Sequence, residues 1–137
     1  LSQIKGYKMV KRERLYDAFG ELVYAMAKAD GEIQAEEIQA MELLLKHHPW
    51  AKQIKWSFDY ENLKHHSVEE AYIKAVEICK ENGPDPEYKY LIDLLTAVAS
   101  AVGGIVPQEK RLLHTLLQDL RARFIEDFRK NQLGDFD

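Results

Sequence analysis

From Tyr7 to Ala29 the apolar residues Leu15, Phe19, Leu22, Val23 and Met26 recur at steps of three and four, predicting one helix with a single buried stripe. Asp30-Gly31 stops it, because Gly31 takes positive φ at no steric cost. A second helix follows with Ile38, Met41, Leu44 and Leu45 as its stripe, acids Glu36 and Glu37 in its first turn, and Pro49 closing it near His48. Between Trp50 and Leu63 aromatic and polar residues mix without a long period, which reads as one or two short helical turns in a connector. Ser67-Val68-Glu69-Glu70 has the spacing of a capping box and opens a helix with Val68, Ala71, Tyr72, Ala75, Val76 and Cys79 on one face. Asn82-Gly83-Pro84 closes that helix. Asp85-Pro86 then supplies an N-cap and a first-turn proline for a helix through Leu91, Leu94, Leu95, Val98 and Val102, which Gly103-Gly104 ends. The last helix starts at Pro107 and carries Leu113, Leu116, Leu117, Leu120, Phe124 and Phe128 towards a charged tail expected to fray over 130–137. No segment alternates as a strand.

The turn Ala29-Asp30-Gly31-Glu32-Ile33 reappears, degraded, as Ala101-Val102-Gly103-Gly104-Ile105. In that register Glu37 falls on Glu109, Met41 on Leu113, Leu44 on Leu116 and Leu45 on Leu117. The expectation is a single all-α domain over 1–137, a helical bundle with two pseudo-symmetric helix-turn-helix repeats at about 15–47 and about 86–120.

Composition narrows the function classes. A chain of 137 residues suits one core, burying about two-thirds of its unfolded surface. Its net charge of −4 argues against a nucleic-acid footprint, which needs a basic total. The lone Cys79 excludes an internal disulfide and a thiolate zinc cage, and fits a reducing, cytoplasmic setting. No apolar run has the length of a membrane span, and no signal-peptide core is read at the start. The first residue is Leu1 rather than Met, so an upstream leader stays open.

The first turn carries the candidate chemistry. Asp30-Gly31-x-Ile33-x-x-x-Glu37 has the spacing of the second half of an EF-hand loop, from its fifth-position acid to its terminal glutamate. The first half fails, because its first and third ligand positions are Met26 and Lys28, and an ammonium repels the cation. What survives is a compact acidic turn in which Asp30 and Glu37 converge on a hard cation, with Glu32, Glu36 and the Ile33 carbonyl as supplementary oxygens. The competing reading is plain helix capping, since acids at a helix start each contribute a few tenths to about 1 kcal/mol.

Other residues attract weaker readings. His47-His48 and His65-His66 are adjacent pairs, which point apart on a helix and are expected to be solvated helix-end residues rather than zinc ligands. Cys79 lies on an apolar face as a small buried hydrophobe. Lys5, Lys8, Lys11, Arg12 and Arg14 form either a solvated helix face or a basic arm for an anionic membrane or acidic partner. Trp50, Trp56, Phe58 and Tyr60 either pack the connector onto the bundle or form a docking patch. No nucleophile-base motif, phosphate loop or dinucleotide fingerprint is present, so the chain reads as non-enzymatic, with no small-molecule substrate.

The paired Ala-x-Ala-Asp-Gly-x-Ile and Ala-x-Ala-Val-Gly-Gly-Ile turns resemble those of the tellurite-resistance TerB family and its TerB-like relatives, over Leu15 to about Leu120. The resemblance implies a bundle of about seven helices with internal pseudo-symmetry. It also implies a divalent-metal site at the acidic turns, and a link to stress and tellurite resistance through complexes near the membrane. Carried over, the family's acid is Asp30 and its glutamate Glu37, matched by Glu109 in the second repeat; Val102 departs from the pattern and removes a ligand. The expected metal set is Asp30, Glu37, Glu36 and Glu109, with Ca²⁺ or Mg²⁺ suiting the oxygens. The function expected is a cytoplasmic TerB-like protein that binds protein partners under a divalent cation's influence, with peripheral membrane association open. The alternative is a metal-free helical interaction module.

Overall fold

The computed structural model describes the backbone of residues 3–4, 7–8 and 10–131 and the side chains of 10–122. Among the described residues there are six helices: α1 (Arg12–Lys28), α2 (Ala35–Leu45), α3 (Ala51–Lys64), α4 (Val68–Asn82), α5 (Glu87–Ala99) and α6 (Pro107–Asn131). A two-residue antiparallel ladder precedes them, β1 (Gln3–Ile4) against β2 (Tyr7–Lys8), with Ile4 opposite Tyr7. The first helix therefore starts five residues later than its apolar period suggests, and Tyr7 belongs to a short strand that the sequence pattern did not signal. No described helix is long and apolar enough to cross a membrane.

α1 is the centre of the bundle. From Leu15 to Ala27 every residue except Asp17 is buried, so the helix is covered on all sides and not along one stripe. The small residues Ala18, Gly20, Ala25 and Ala27 make this possible, because they let neighbouring helices approach between the larger Phe19, Leu22, Val23 and Met26. α3 and α4 pack against α1 most extensively, α5 packs on both α1 and α2, and α6 closes against α4, α1 and α5.

The connector expected between Trp50 and Leu63 is a full helix, α3, and this is the main correction to the sequence reading. Its buried stripe is Ile54, Ser57, Phe58 and Glu61, at helical spacing but half polar, so hydrophobicity alone conceals it. The polar members are satisfied across the seam: the Ser57 hydroxyl donates to the Asp17 carbonyl at 2.6 Å, and Glu61 accepts from the Lys74 ammonium at 2.9 Å, while Gln53 beside the stripe donates to the Asp17 carboxylate at 2.6 Å. Gly20 lies directly beneath. A Cβ there would meet the Ile54 carbonyl, come within 2.6 Å of Ser57 Cβ and within 2.9 Å of the Phe58 nitrogen.

The other helix starts follow their local chemistry. Ser67 accepts from the Glu70 N–H at 3.0 Å while Glu70 accepts from the Ser67 N–H at 3.0 Å, closing the capping box on α4. Asp85 accepts from the Glu87 N–H at 3.0 Å at the start of α5, and its other oxygen accepts from Arg12 at 2.7 Å. α5 stops at Ala99, one turn earlier than expected, so Val102 is an exposed turn residue and not part of the stripe. The aligned apolar positions of the two proposed repeats are also buried unequally: Leu116 is in the core whereas its counterpart Leu44 is exposed. Lys5 and the tail from 132 lie outside the described residues, as do the side chains of Lys8, Phe124, Phe128 and 130–131.

The close crossing at Gly20 has a direct test. Gly20→Ala should destabilise the fold by about 1–3 kcal/mol through overpacking, since the atoms in the way are backbone and Cβ. Urea denaturation reads this as a lowered midpoint at unchanged slope, and a midpoint equal to the parent's would contradict the crossing.

Candidate functional site

Both turns aim a glutamate backwards. At the end of α1 the Gly31 N–H donates to the Lys28 carbonyl at 2.9 Å, and Gly31 has φ 110° with open space around it. The chain then drops half-buried Ile33 onto the core and starts α2, whose third residue is Glu37. Glu37 Oε1 accepts from the Gln34 N–H at 2.7 Å, using a free donor at the helix start. The second turn passes through Gly103 and Gly104, at φ 72° and 117°, and lays half-buried Ile105 on the core before α6. There the third residue is Glu109, and its Oε1 accepts from the Val106 N–H at 3.1 Å.

The two glutamates meet. Asp30, Glu37 and Glu109 each contribute a carboxylate oxygen to a group whose members lie within 4.8 Å of one another, with Asp30 exposed, Glu37 3% exposed and Glu109 2% exposed. Glu36, the fourth residue of the expected set, is exposed and outside this group, as is Glu32. Burial pushes the Glu37 carboxyl from its ordinary 4.5 up to about 7; the Gln34 N–H opposes that, while the charges of Asp30 and Glu109 add to it. Burial also raises Glu109, with Asp30 adding, against the Val106 N–H and a hydrogen bond from Glu37. The contact between the two carboxyls acts on them in opposite directions, adding to the rise of Glu37 and opposing that of Glu109. Like charges this close cannot all ionise without a compensating cation or proton.

The remaining sequence candidates separate. His48 is not solvated: its Nδ1 accepts from the Trp50 N–H at 2.9 Å, which fixes the proton on Nε2, and Nε2 donates to Glu87 at 2.8 Å. His66 lies 2.9 Å from Glu61, while His47 and His65 are exposed helix-end residues. Cys79 is buried and its thiol is pushed up to about 12, so it holds its proton at neutral pH. Arg12, from the expected basic arm, is committed to Asp85, while Lys11 and Arg14 are exposed. The aromatic group splits: Phe58 is core, Trp50 stacks on Tyr16 at 5.2 Å, and exposed Trp56 and Tyr60 stack on each other at 5.5 Å.

One polar cluster escaped the sequence reading. Glu21, Glu61 and Lys74 meet among α1, α3 and α4, with the ammonium 2.9 Å from Glu61 and 3.6 Å from Glu21. Glu21 Oε1 has no hydrogen-bond partner among the described residues, and burial raises its carboxyl to about 7. The one sequence signal was an acid inside the apolar run Phe19 to Val23.

The raised carboxyls set a pH dependence. Folded Glu37 holds its proton more tightly than the unfolded chain does, so stability is lost as pH rises from about 4.5 to about 7, and Glu21 acts in the same direction. Glu37→Gln keeps an oxygen for the Gln34 N–H and gains an N–H for Glu109. Without divalent cations it should melt higher than the parent at about pH 8 and show a shallower fall with pH, the Glu21 part remaining. A variant that melts lower at that pH would rule out like-charge strain at the cluster. No protein-family model matches the chain, and neither a curated protein nor a solved structure does.

Proposed function

We propose that this chain is a non-enzymatic, TerB-like helical module whose two related turns hold a divalent cation and which works by binding protein partners, in the stress or tellurite-resistance setting that the resemblance implies. The observation that carries the reading is the meeting of Asp30 and Glu37 from the first turn with Glu109 from the second, more than 70 residues later in the chain. Oxygens on one Ca²⁺ sit at about 2.3–2.6 Å from it and can therefore be no more than about 5 Å apart, a span that the cluster satisfies. Mg²⁺, at about 2.0–2.1 Å, asks for a tighter set. Asp30, the free oxygens of Glu37 and Glu109, and water would make the shell. The cation would compete with a proton for Glu37 and cancel the repulsion from Asp30 and Glu109 that adds to the effect of burial on its pKa. The pseudo-symmetry proposed is confined to the turns and their third-residue glutamates, which repeat the same local geometry, and does not extend to the apolar faces of α2 and α6. The metal-free alternative is favoured by one feature: each glutamate already spends an oxygen on a backbone N–H, as a capping residue does.

Thermal melts with Ca²⁺, Mg²⁺, Mn²⁺ and Zn²⁺ separate the two. A cation at about 100 times its dissociation constant adds roughly 2.7 kcal/mol, a rise of roughly 5 to 11 °C in a domain of this size. The rise should be largest for Ca²⁺ and should vanish in Asp30→Asn. Melts unmoved by every cation at millimolar concentration would leave the metal-free module.

A further inference from the structure

We propose that the groove between the end of α2 and α3 is the docking site for an acidic amphipathic helix of a partner protein. This rests on reading the chain as a partner-binding module but not on the cation. α3 turns Ile54, Phe58 and Glu61 towards α1, yet its opposite side carries a second apolar stripe at helical spacing: Trp56 is 58% exposed, Tyr60 40% and Leu63 74%. An ordinary surface helix keeps that side polar. The stripe is also ordered: Trp56 and Tyr60 stack with ring planes 18° apart, and the Lys64 ammonium lies 5.7 Å from the Tyr60 ring. Beside Trp56 the surface is concave, a cavity of about 390 Å³ with Leu45 and Ala51 among its lining residues. A ridge of aromatic side chains beside an apolar cleft is the shape that receives the i, i+3, i+4 and i+7 side chains of a helix.

Charge identifies the partner. The chain is net negative, but this face carries Lys46, Lys52, Lys55 and Lys64. Its acids Glu42 and Asp59 are both held by Lys55, at 3.6 and 3.1 Å. Lys46 and Lys52, which line the cleft, make no ion pair among the described residues, so the rim presents positive charge around an apolar floor. A helix with leucine or phenylalanine along one side and glutamate or aspartate flanking it meets both features. A flat anionic bilayer could reach Trp56 and Leu63 but could not fill the cleft.

The test uses fluorescence anisotropy of labelled synthetic peptides that share one apolar heptad pattern and carry either glutamate or lysine elsewhere, titrated with the full chain. The glutamate peptide should bind at least about tenfold tighter than the lysine peptide, with the difference shrinking in salt. Trp56→Ala and Lys52→Glu, both at exposed positions, should each weaken it about tenfold or more while leaving the melting temperature near the parent's. Ile73→Ala, which trims an exposed apolar residue on α4, should leave binding unchanged. No binding of either peptide, equal binding of both, or full binding by Trp56→Ala would overturn the proposal. So would Trp56-dependent binding to phosphatidylserine vesicles with no peptide bound. Repeating the titration in EDTA separates this site from the acidic turns: peptide binding that survives there does not depend on the cation.

Discussion

α1 has no face that tolerates water, and the other helices take their positions from that fact. Leu15, Phe19, Leu22, Val23 and Met26 form one apolar stripe, but Ala18, Gly20, Tyr24, Ala25 and Ala27 make the rest of the helix a surface into which other helices sink. Gly20 sets the tightest of these approaches, because only hydrogen fits beneath Ile54 and Ser57 of α3. With α3 seated there and α4 and α5 on the other sides, apolar area is removed from water all around the helix at about 25 cal/mol per Å².

Full coverage traps polar groups that a half-buried helix would leave in solvent. Glu21 is carried inside with α1 and meets Glu61 and Lys74, yet one of its oxygens finds no hydrogen-bond partner among the described residues. A single ammonium serves two carboxylates, so burial prevails and the Glu21 carboxyl is raised to about 7. Asp85, Arg12, Tyr16, Glu87 and His48 show the opposite outcome at the other end of α1, where a chain of hydrogen bonds from 2.7 to 3.2 Å joins α1 to the start of α5 and the loop after α2. The acidic turns fall between these cases. Their glutamates are buried and capped by backbone donors, but the charges that act on them most strongly are other acids.

The two candidate surfaces differ in what the fold has left undone. At Asp30, Glu37 and Glu109 it has collected three acids, and burial with their mutual repulsion raises the Glu37 carboxyl to about 7. On α3 it has left aromatic area uncovered and set lysines beside it. Neither arrangement improves the isolated fold: like charges in contact and a Trp more than half in water both cost free energy. A hard cation in the one proposal and an acidic helix in the other would offset that cost.

Local chemistry was legible in the chain itself. Gly31 and Gly103 mark their turns, Ser67 with Glu70 marks the start of α4, and Pro107 marks the start of α6, because caps and turns are decided by backbone groups within a few residues. The periods of α4 and α5 were equally readable from Ala71 to Cys79 and from Leu91 to Val98. α3 was not, since Ser57 and Glu61 occupy its inner face and are tolerated only because Asp17 and Lys74 satisfy them from α1 and α4. The same limit applies to the sites. That Glu37 and Glu109 cap their helices follows from their spacing, but that they meet depends on how α2 and α6 are brought together, and that Trp56 stays in water depends on α1 having taken the other side of α3. Packing between distant segments decides those facts, and no stretch of sequence contains both partners.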